Sequence, residues 1–403
     1  MTFTSLLHNV KPPIRGETTL SETAHDSSPW DTSISYESKN YTKAKRCMKA
    51  QLKHRANQVI VNTRILSSPI TGVQRYLLEL LQRMPADGIQ QISPQRTISG
   101  VRAHLWEQTV LPLRTRGHLL WSPSNTGPLA VSRQGVTVHD LSPMDHPEWL
   151  NTRFAAWYRF LTPKLARRVA RVITDSEFTK SRLLETTGVA DDKVIVVPLG
   201  VDARFVPQDK EQVESAIQKL GLPTSHYVLS LGSLEPRKNL GRLLRAWEVI
   251  HRGLPEDVWL VVSGAKGKSL VFQDVPELET LPPRVFLTGH VPDELLPSLY
   301  AGAMAFAYLS VYEGFGLPPL EAMASGTPTL VGNRASLPEV VGDAAVQVDP
   351  YDIEAIADGL HRLIEDASLR TLLQEKGLER AAQFNWDKTA EQTWRVLAEA
   401  AGD

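Results

Sequence analysis

Cysteine is almost missing from this sequence: Cys47 stands alone among 403 residues. An intramolecular disulfide framework is therefore excluded, which fits a reducing compartment. Charge of one sign is also lacking, since 44 lysines and arginines stand against 45 aspartates and glutamates, a formal net charge of -1. Nothing here attracts nucleic acid globally, so any anion-binding patch must be local. No apolar run approaches the roughly 20 residues that span a bilayer. The opening "MTFTSLLHNVKPPIRGETTL" has no charged segment leading into a long apolar one, so a cytoplasmic location is expected rather than secretion.

Several chemical signatures are absent too. "SSPITGVQRY", after the first strand-like run, offers only Gly72 where a dinucleotide fold would need G-x-G-x-x-G. "GAKGKS" (264–269) looks like a phosphate loop, but Val262 stands where its first glycine would be required. His104, His118 and His146 make no metal-ligand spacing with His139, and no D-x-D pair follows a strand. No metal is expected.

What is present falls into segments. Residues 1–56 are rich in Ser, Thr, Lys and Pro with little apolar periodicity, so a loosely held extension is expected. It ends in a basic run without an acid from Ser38 to Arg55, readable as an anionic-membrane attractor or as a solvated helix. From residue 57 to 205, "QVIVNTRIL", "GHLLWSPS", "GVTVHDLS", "RVITDSE" and "KVIVVPLG" are strand-like runs, with helices beginning near Val73 and Glu177. "ARFVPQDKEQVESAIQKLGLPTS" is polar and punctuated by proline, a crossing between domains. A second series over 206–385 runs "HYVLSLGS", "VWLVVSG", "RVFLTGHV", "AMAFAYLS", "TPTLVG" and "AAVQVDP", alternating with helical patterns such as "LGRLLRAWEVI". Residues 386–403 form a last helix expected to pack back toward the first domain. Apolar strands alternating with helices predict an α/β protein of two parallel, doubly covered sheets. Ligands should then bind at the carboxyl ends of the strands.

The loops at those ends carry the polar residues of interest. "LGSLEPRKNL" puts Gly232, Glu235, Arg237 and Lys238 between a strand and a helix that Asn239 can cap. Two cations before a helix N-terminus make a phosphate site. "VYEGFGLPPLEAMASGTP" (311–328) brackets a bend with Glu313 and Glu321. Its helix is expected to start at Pro318 or Pro319 and stop at Gly326, which sets Glu321 in the first turn. Gly314 and Gly316 let a backbone approach a ligand closely. Carboxylates accept from hydroxyls and free amides donate to oxygens, so the bend suits a polyhydroxylated ligand. "TVHDLSPMDHPEW" sets His139 and Asp140 at another strand end, facing the same cleft.

With "TGVQRY", "HLWEQTVLP", "ITDSEFTKSRL", "VVPLGVD", "SLPEVVGDAA" and "FNWDKTAEQTW" in order beside these loops, the chain from about Val59 to Ala400 resembles the retaining glycosyltransferases of family 4. "HPEW" with "PRKN" looks like their mannosyltransferase branch. The resemblance implies a GT-B fold, two Rossmann-like domains facing each other across a cleft. It implies that Glu321 holds the ribose of a sugar nucleotide and Glu313 the hydroxyls of the transferred sugar. The amides of Phe315, Gly316 and Leu317 would meet sugar and phosphate oxygens. Arg237 and Lys238 would grip the diphosphate beside Gly232, Gly72 would allow close approach from the opposite domain, and His139 would contact the donor sugar. The expected donor is GDP-mannose, with a UDP-sugar as rival, and the expected acceptor is a glycan or lipid-linked glycan. An idle sugar-nucleotide-binding protein and an epimerase are the alternatives. Ser233 departs from the family pattern where many relatives have a basic residue. Gly72 lacks a paired glycine, and only residues 85–101 separate the first helix from "HLWEQ". In relatives with lipid-linked acceptors a helix like "WYRFLTPKLARRVARVI" (157–173) meets the membrane, an arrangement core packing could equally explain.

Overall fold

Twelve short strands, most of them buried along their length, form two six-stranded parallel sheets. The computed structural model describes residues 58–68, 71–264 and 280–402. The expectations for residues 1–56, including Cys47 and the basic run, and for the "AKGKS" segment lie outside the described residues.

The first sheet contains β1 (Val59–Asn62), β2 (Ile89–Ile92), β3 (Leu119–Ser122), β4 (Gln134–Val138), β5 (Arg171–Thr174) and β6 (Val194–Val196). Their order is β2-β1-β3-β4-β5-β6. In the second, β7 (His226–Leu231), β8 (Val258–Ser263), β9 (Val285–Gly289), β10 (Ala305–Tyr308), β11 (Thr329–Gly332) and β12 (Val346–Val348) lie in the order β12-β11-β10-β7-β8-β9. All the paired strands run parallel. Strands such as Val59–Asn62 and Ala305–Tyr308 are buried at every position, as helices on both faces require. The α/β reading holds.

Each order reverses once, between β1 and β3 in the first sheet and between β7 and β10 in the second. Helices leave opposite faces at those two seams, which opens a crevice at the carboxyl ends. The amphipathic pattern is plain in the helix Leu240–Ile250, whose Leu240, Leu243, Leu244 and Trp247 point inward. The helix Gly72–Arg83 starts with a reciprocal capping box between Thr71 and Gln74. The final helix, Trp386–Gly402, packs against Gly72–Arg83 and the first sheet. Thr389 ties it to the Pro198 carbonyl at 2.8 Å.

Two elements differ from expectation. The polar "crossing" contains a helix, Lys210–Leu220, with an Asp209/Gln212 capping box and Gly221 at φ 63° behind it. Strand β2 occupies the stretch that looked like mere connection, since its IQQI exposes two glutamines at the sheet edge. With it the first sheet has six strands among the described residues.

Candidate active site

The seam of the second sheet gathers three of the expected residues. Arg237 and Lys238 follow β7, and Glu313 follows β10. Lys238 Nζ and Arg237 Nη1 each donate to Glu313, to Oε1 and Oε2 respectively, at 2.5 Å. Tyr308 OH and Ser310 Oγ donate to the same Oε1 at 2.9 and 2.6 Å. Arg237 also reaches Glu235 at 2.9 Å and the Tyr312 carbonyl at 3.2 Å. Burial acts to raise the Glu313 carboxyl, but Arg237 and then Lys238 outweigh it and hold it at about 2. Burial, with Arg237 beside it, brings the Lys238 ammonium below its usual range despite Glu313. Asn239 sits at the N-cap position with φ 59° but does not cap. Its amide donates to the Pro350 carbonyl at 2.6 Å and accepts from Arg242 at 2.9 Å, which anchors the loop's exit.

The Glu313–Leu317 bend is held from both halves. Its Gly314 carbonyl accepts from Ser176 at 2.6 Å and Thr179 at 3.1 Å. A Cβ on Gly314 would lie 1.7 Å from the His139 carbonyl oxygen, so glycine is obligatory in this closed arrangement. Gly316 has φ 123° and starts the helix Leu317–Ala324. That start lies before both prolines, so Glu321 is the fifth helical residue, not a first-turn one. The helix dipole then gives little reason for Glu321 to be there. Tyr300 OH donates to Glu321 at 3.0 Å. Burial pushes the Glu321 carboxyl above its usual range, with Arg75 and Tyr300 pulling only partly against it. The Phe315 ring is buried against Phe384. None of the hydrogen bonds among the described residues uses the amides of Phe315, Gly316 or Leu317. Gly72, at the opposite helix start, faces Leu317 across the cleft, and a Cβ there would meet it at an ordinary 3.8 Å. Gly232 lies under the Lys238 stem.

His139 is placed differently from expectation. Nδ1 meets Asp175 at 2.7 Å and Nε2 meets the Pro123 carbonyl at 3.0 Å. Burial acts to lower the imidazole, but Asp175 raises it above its usual range. Two acceptors on the ring favour the imidazolium with both nitrogens donating. In this conformation the ring is committed within the first half, and its backbone carbonyl is what meets the donor loop.

Several participants escaped the sequence reading. Tyr308 and Ser310 share Glu313, and Tyr300 holds Glu321. Arg75 bridges the cleft to Asp293 at 2.6 Å. Tyr312 OH donates to Asp145 at 2.8 Å, and Glu339 accepts from the Glu177 amide at 2.9 Å. A tyrosine closing a buried strand was the one visible signal for Tyr308. The ion pairs across the cleft had none. Among the described residues no cluster of His, Cys, Asp or Glu could hold a metal ion, and no helix is long and apolar enough to cross a membrane.

The geometry can grip an anion with Arg237 and Lys238 while two carboxylates accept from hydroxyls. The chain is similar to known glycosyltransferases. Residues 212–380 match the family model "Glycosyl transferases group 1", and 117–205 match "Glycosyltransferase Family 4". The O-antigen chain mannosyltransferase B of Escherichia coli is 30% identical over 83% of this chain and 98% of its own. The MMP alpha-(1->4)-mannosyltransferase of Mycolicibacterium hassiacum is 30% identical over 68% of each chain. Of the serotype-specific mannosyltransferase WbdA of Escherichia coli, 30% identical, the match spans only 32% of the length. Among solved structures, Anabaena HepE in complex with UDP-glucose superposes with TM-score 0.68 at 18% identity, over 85% of this chain and 99% of that one. WaaG, a glycosyltransferase involved in lipopolysaccharide biosynthesis, gives 0.65 at 16% identity over 84% and 99%. At such identities the superpositions establish the GT-B fold alone.

Proposed function

We propose that this chain, which belongs to the family 4 glycosyltransferases, moves mannose with retention from GDP-mannose to a hydroxyl of a glycan or lipid-linked acceptor in surface polysaccharide synthesis. The observation that carries the reading is the convergence of Arg237, Lys238 and Glu313 at the β7/β10 seam. The relatives named as mannosyltransferases, one of them of the O-antigen chain, support mannose as the sugar.

In this scheme the diphosphate draws Lys238 and Arg237 away from Glu313, and the freed carboxylate accepts from the sugar's hydroxyls. Glu321, steadied by Tyr300, takes the ribose. As the bond between the anomeric carbon and the bridging oxygen breaks, charge grows on that oxygen. The captured cations, with the amides of Phe315 to Leu317 that no hydrogen bond among the described residues uses, would stabilise that charge. The acceptor hydroxyl enters on the face the diphosphate leaves, through an ion-pair-like step, and its proton passes to the departing diphosphate oxygen. The intact set of Glu313, Glu321, Arg237 and Lys238 argues against an idle binder, and turnover of the donor separates the two.

The test is turnover of GDP-mannose, UDP-glucose and other sugar nucleotides by the full chain, with nucleotide release and product anomer read by NMR. GDP-mannose should turn over with the α configuration kept. Preference for a UDP-sugar replaces the donor. Inversion removes the mechanism, and absence of any nucleotide binding removes the function.

A peripheral membrane site is proposed on the first half. The helix Thr152–Arg168 exposes Phe160, with Lys164 over its ring at 3.4 Å, and carries Arg159, Arg167 and Arg168 outward. Trp157 contacts His104 of the helix Gly100–Arg114, where Val101, Leu105 and Leu113 are exposed. Apolar residues ringed by cations suit an anionic interface. Flotation with anionic liposomes at low salt should carry the protein upward, and failure to float removes the site.

A further inference from the structure

A charged cluster spans the cleft where the two halves meet, and the transfer step leaves it without a task. Arg75, on the helix Gly72–Arg83 of the first half, donates to Asp293 Oδ2 in the loop after β9 at 2.6 Å. It also reaches Asp202, in the segment that joins the halves, at 3.5 Å. Arg204 of the same segment donates to the Asp293 carbonyl at 3.0 Å and to its Oδ2 at 3.4 Å. Arg204 therefore already ties that segment to Asp293, and a clamp needs no second guanidinium. Arg75 gains nothing from its own helix either. It is the fourth residue, near the positive end of the dipole, where a cation is not favoured. Beside it Tyr76 is buried and shares a hydrogen bond with Thr137 at 3.2 Å, so the helix is fixed and Arg75 is left to the cleft.

The charge that Arg75 feels most is Glu321, on the opposite half, and Arg75 is likewise the foremost cation acting on Glu321. We propose that Arg75 is a positioning residue for the ribose: from across the cleft it supplies the positive charge that readies Glu321 to accept from the ribose hydroxyls. This rests on the glycosyltransferase reading above, in which Glu321 takes the ribose. Because the charge arrives from the other half, it reaches Glu321 only while the cleft is closed, so closure and ribose capture are linked.

The surroundings of Glu321 leave that role to Arg75. Tyr300, on the helix Leu296–Ala301, donates to it at 3.0 Å. Arg204 is a weaker cation there, and Asp293 acts against both arginines. The remaining charges on elements packed against Leu317–Ala324 are engaged elsewhere. Tyr308 donates to Glu313, Lys376 pairs with Asp343, and Glu339 accepts from the Glu177 and Phe178 amides. Arg370 and Arg380 donate to carbonyls, and Glu375 and Glu379 are exposed. Burial keeps the Glu321 carboxyl above its usual range even with Arg75 in place, and removing Arg75 raises it further. Glu321 is only half-buried, so a ligand can reach it.

The experiment titrates GDP into the full chain by calorimetry at a series of pH values. The ionised carboxylate accepts from the ribose hydroxyls, so wild-type affinity should fall as pH drops. Arg75→Gln, which keeps a donor for Asp293 but loses the charge, should move that fall to higher pH. On the slope, with each protein referred to its own high-pH plateau, Arg75→Gln should bind GDP about threefold or more weakly than wild type. Arg75→Lys restores the charge and should bring the slope back. In a Glu321→Gln background, Arg75→Gln should change no pH dependence. A lower plateau with an unmoved slope overturns the proposal, since it marks a clamp or a direct donor contact. So does a wild type that binds GDP with no slope. A ligand-free arm follows the Glu321 carboxyl carbon by NMR, identified by its loss in Glu321→Gln. It should titrate at higher pH in folded Arg75→Gln, and equal titration overturns the proposal whether or not the variant binds GDP. A chain whose Glu321 responds to Arg75 but that turns over no sugar nucleotide keeps the coupling and fails the transferase reading.

Discussion

The two seams place the same kind of group under opposite conditions. At the β7/β10 seam, Glu313 has both oxygens engaged, Oε1 by three donors and Oε2 by a guanidinium. At the β1/β3 seam, Glu107 gathers three donors on Oε1, while Oε2 has no hydrogen bond among the described residues and faces His104 Nδ1 at 3.8 Å. The partners differ as well. Glu313 is held by two cations on long, partly exposed side chains that can turn to another anion, whereas Glu107 is held by an amide, a hydroxyl and one arginine. The second half is therefore built for exchange: its ligand must replace an internal counter-ion. The first half instead keeps its carboxylate enclosed by the fold's own donors.

Removing Glu313 should break this contrast most strongly. Glu313→Ala leaves Arg237 and Lys238 side by side without their counter-ion. Stripping one partner from a buried ion pair costs about 3 to 5 kcal/mol, read as a lower midpoint in urea. Because the exchange reading makes a diphosphate the substitute counter-ion, GDP should raise the variant's Tm by more than the wild type's. A variant as stable as wild type would mean the cations are not held by Glu313 at all.

Lys238→Ala should come next. It keeps the Arg237–Glu313 pair, so the fold survives, but one cation is lost at the departing diphosphate. We expect kcat/KM to fall at least tenfold, about 1.4 kcal/mol. Unchanged turnover in a folded variant would refute the phosphate role and make Lys238 only a partner of Glu313.

Much of this was visible in the residues, for physical reasons. Strands such as VIVN and AFAY show because a sheet covered on both faces must be apolar throughout, and the polar loops after them are where chemistry belongs. Strand β2 did not show, because an edge strand can keep two glutamines in water. The helix Lys210–Leu220 was masked by its polarity, although Asp209, Gln212 and Gly221 marked both of its ends. Arg237 and Glu313, 76 residues apart, could each be picked out as strand-end residues. Their pairing depends on β7 lying beside β10, a fact of topology that no local pattern contains. His139 was found by its place but not its partners, since Asp175 reaches it through the register of β4 and β5. Glu107 stood inside a motif, and only the structure places it, buried, beside Asn62 and Thr126.

The mildest test turns on Glu321, which lies between the two conditions. It has a hydroxyl partner in Tyr300 and a cation nearby in Arg75, yet burial keeps its carboxyl above the usual range. The free fold thus disfavours the ionised form relative to an ordinary glutamate. Its contribution to stability is complete below the ordinary glutamate value and fades as pH rises through the raised one. Ribose hydroxyls need the ionised form, so GDP binding should release a proton there. Affinity for GDP should weaken as pH drops through that raised value, by at most about tenfold per pH unit for one linked proton. Glu313, ionised down to about 2, cannot produce such a limb, and Glu321→Gln should abolish it. Calorimetry of GDP binding in buffers of different ionisation heat reads the proton directly. If the limb persists in Glu321→Gln, the ribose belongs to another residue, and only Glu313 among the strand-end carboxylates of the second half touches the donor.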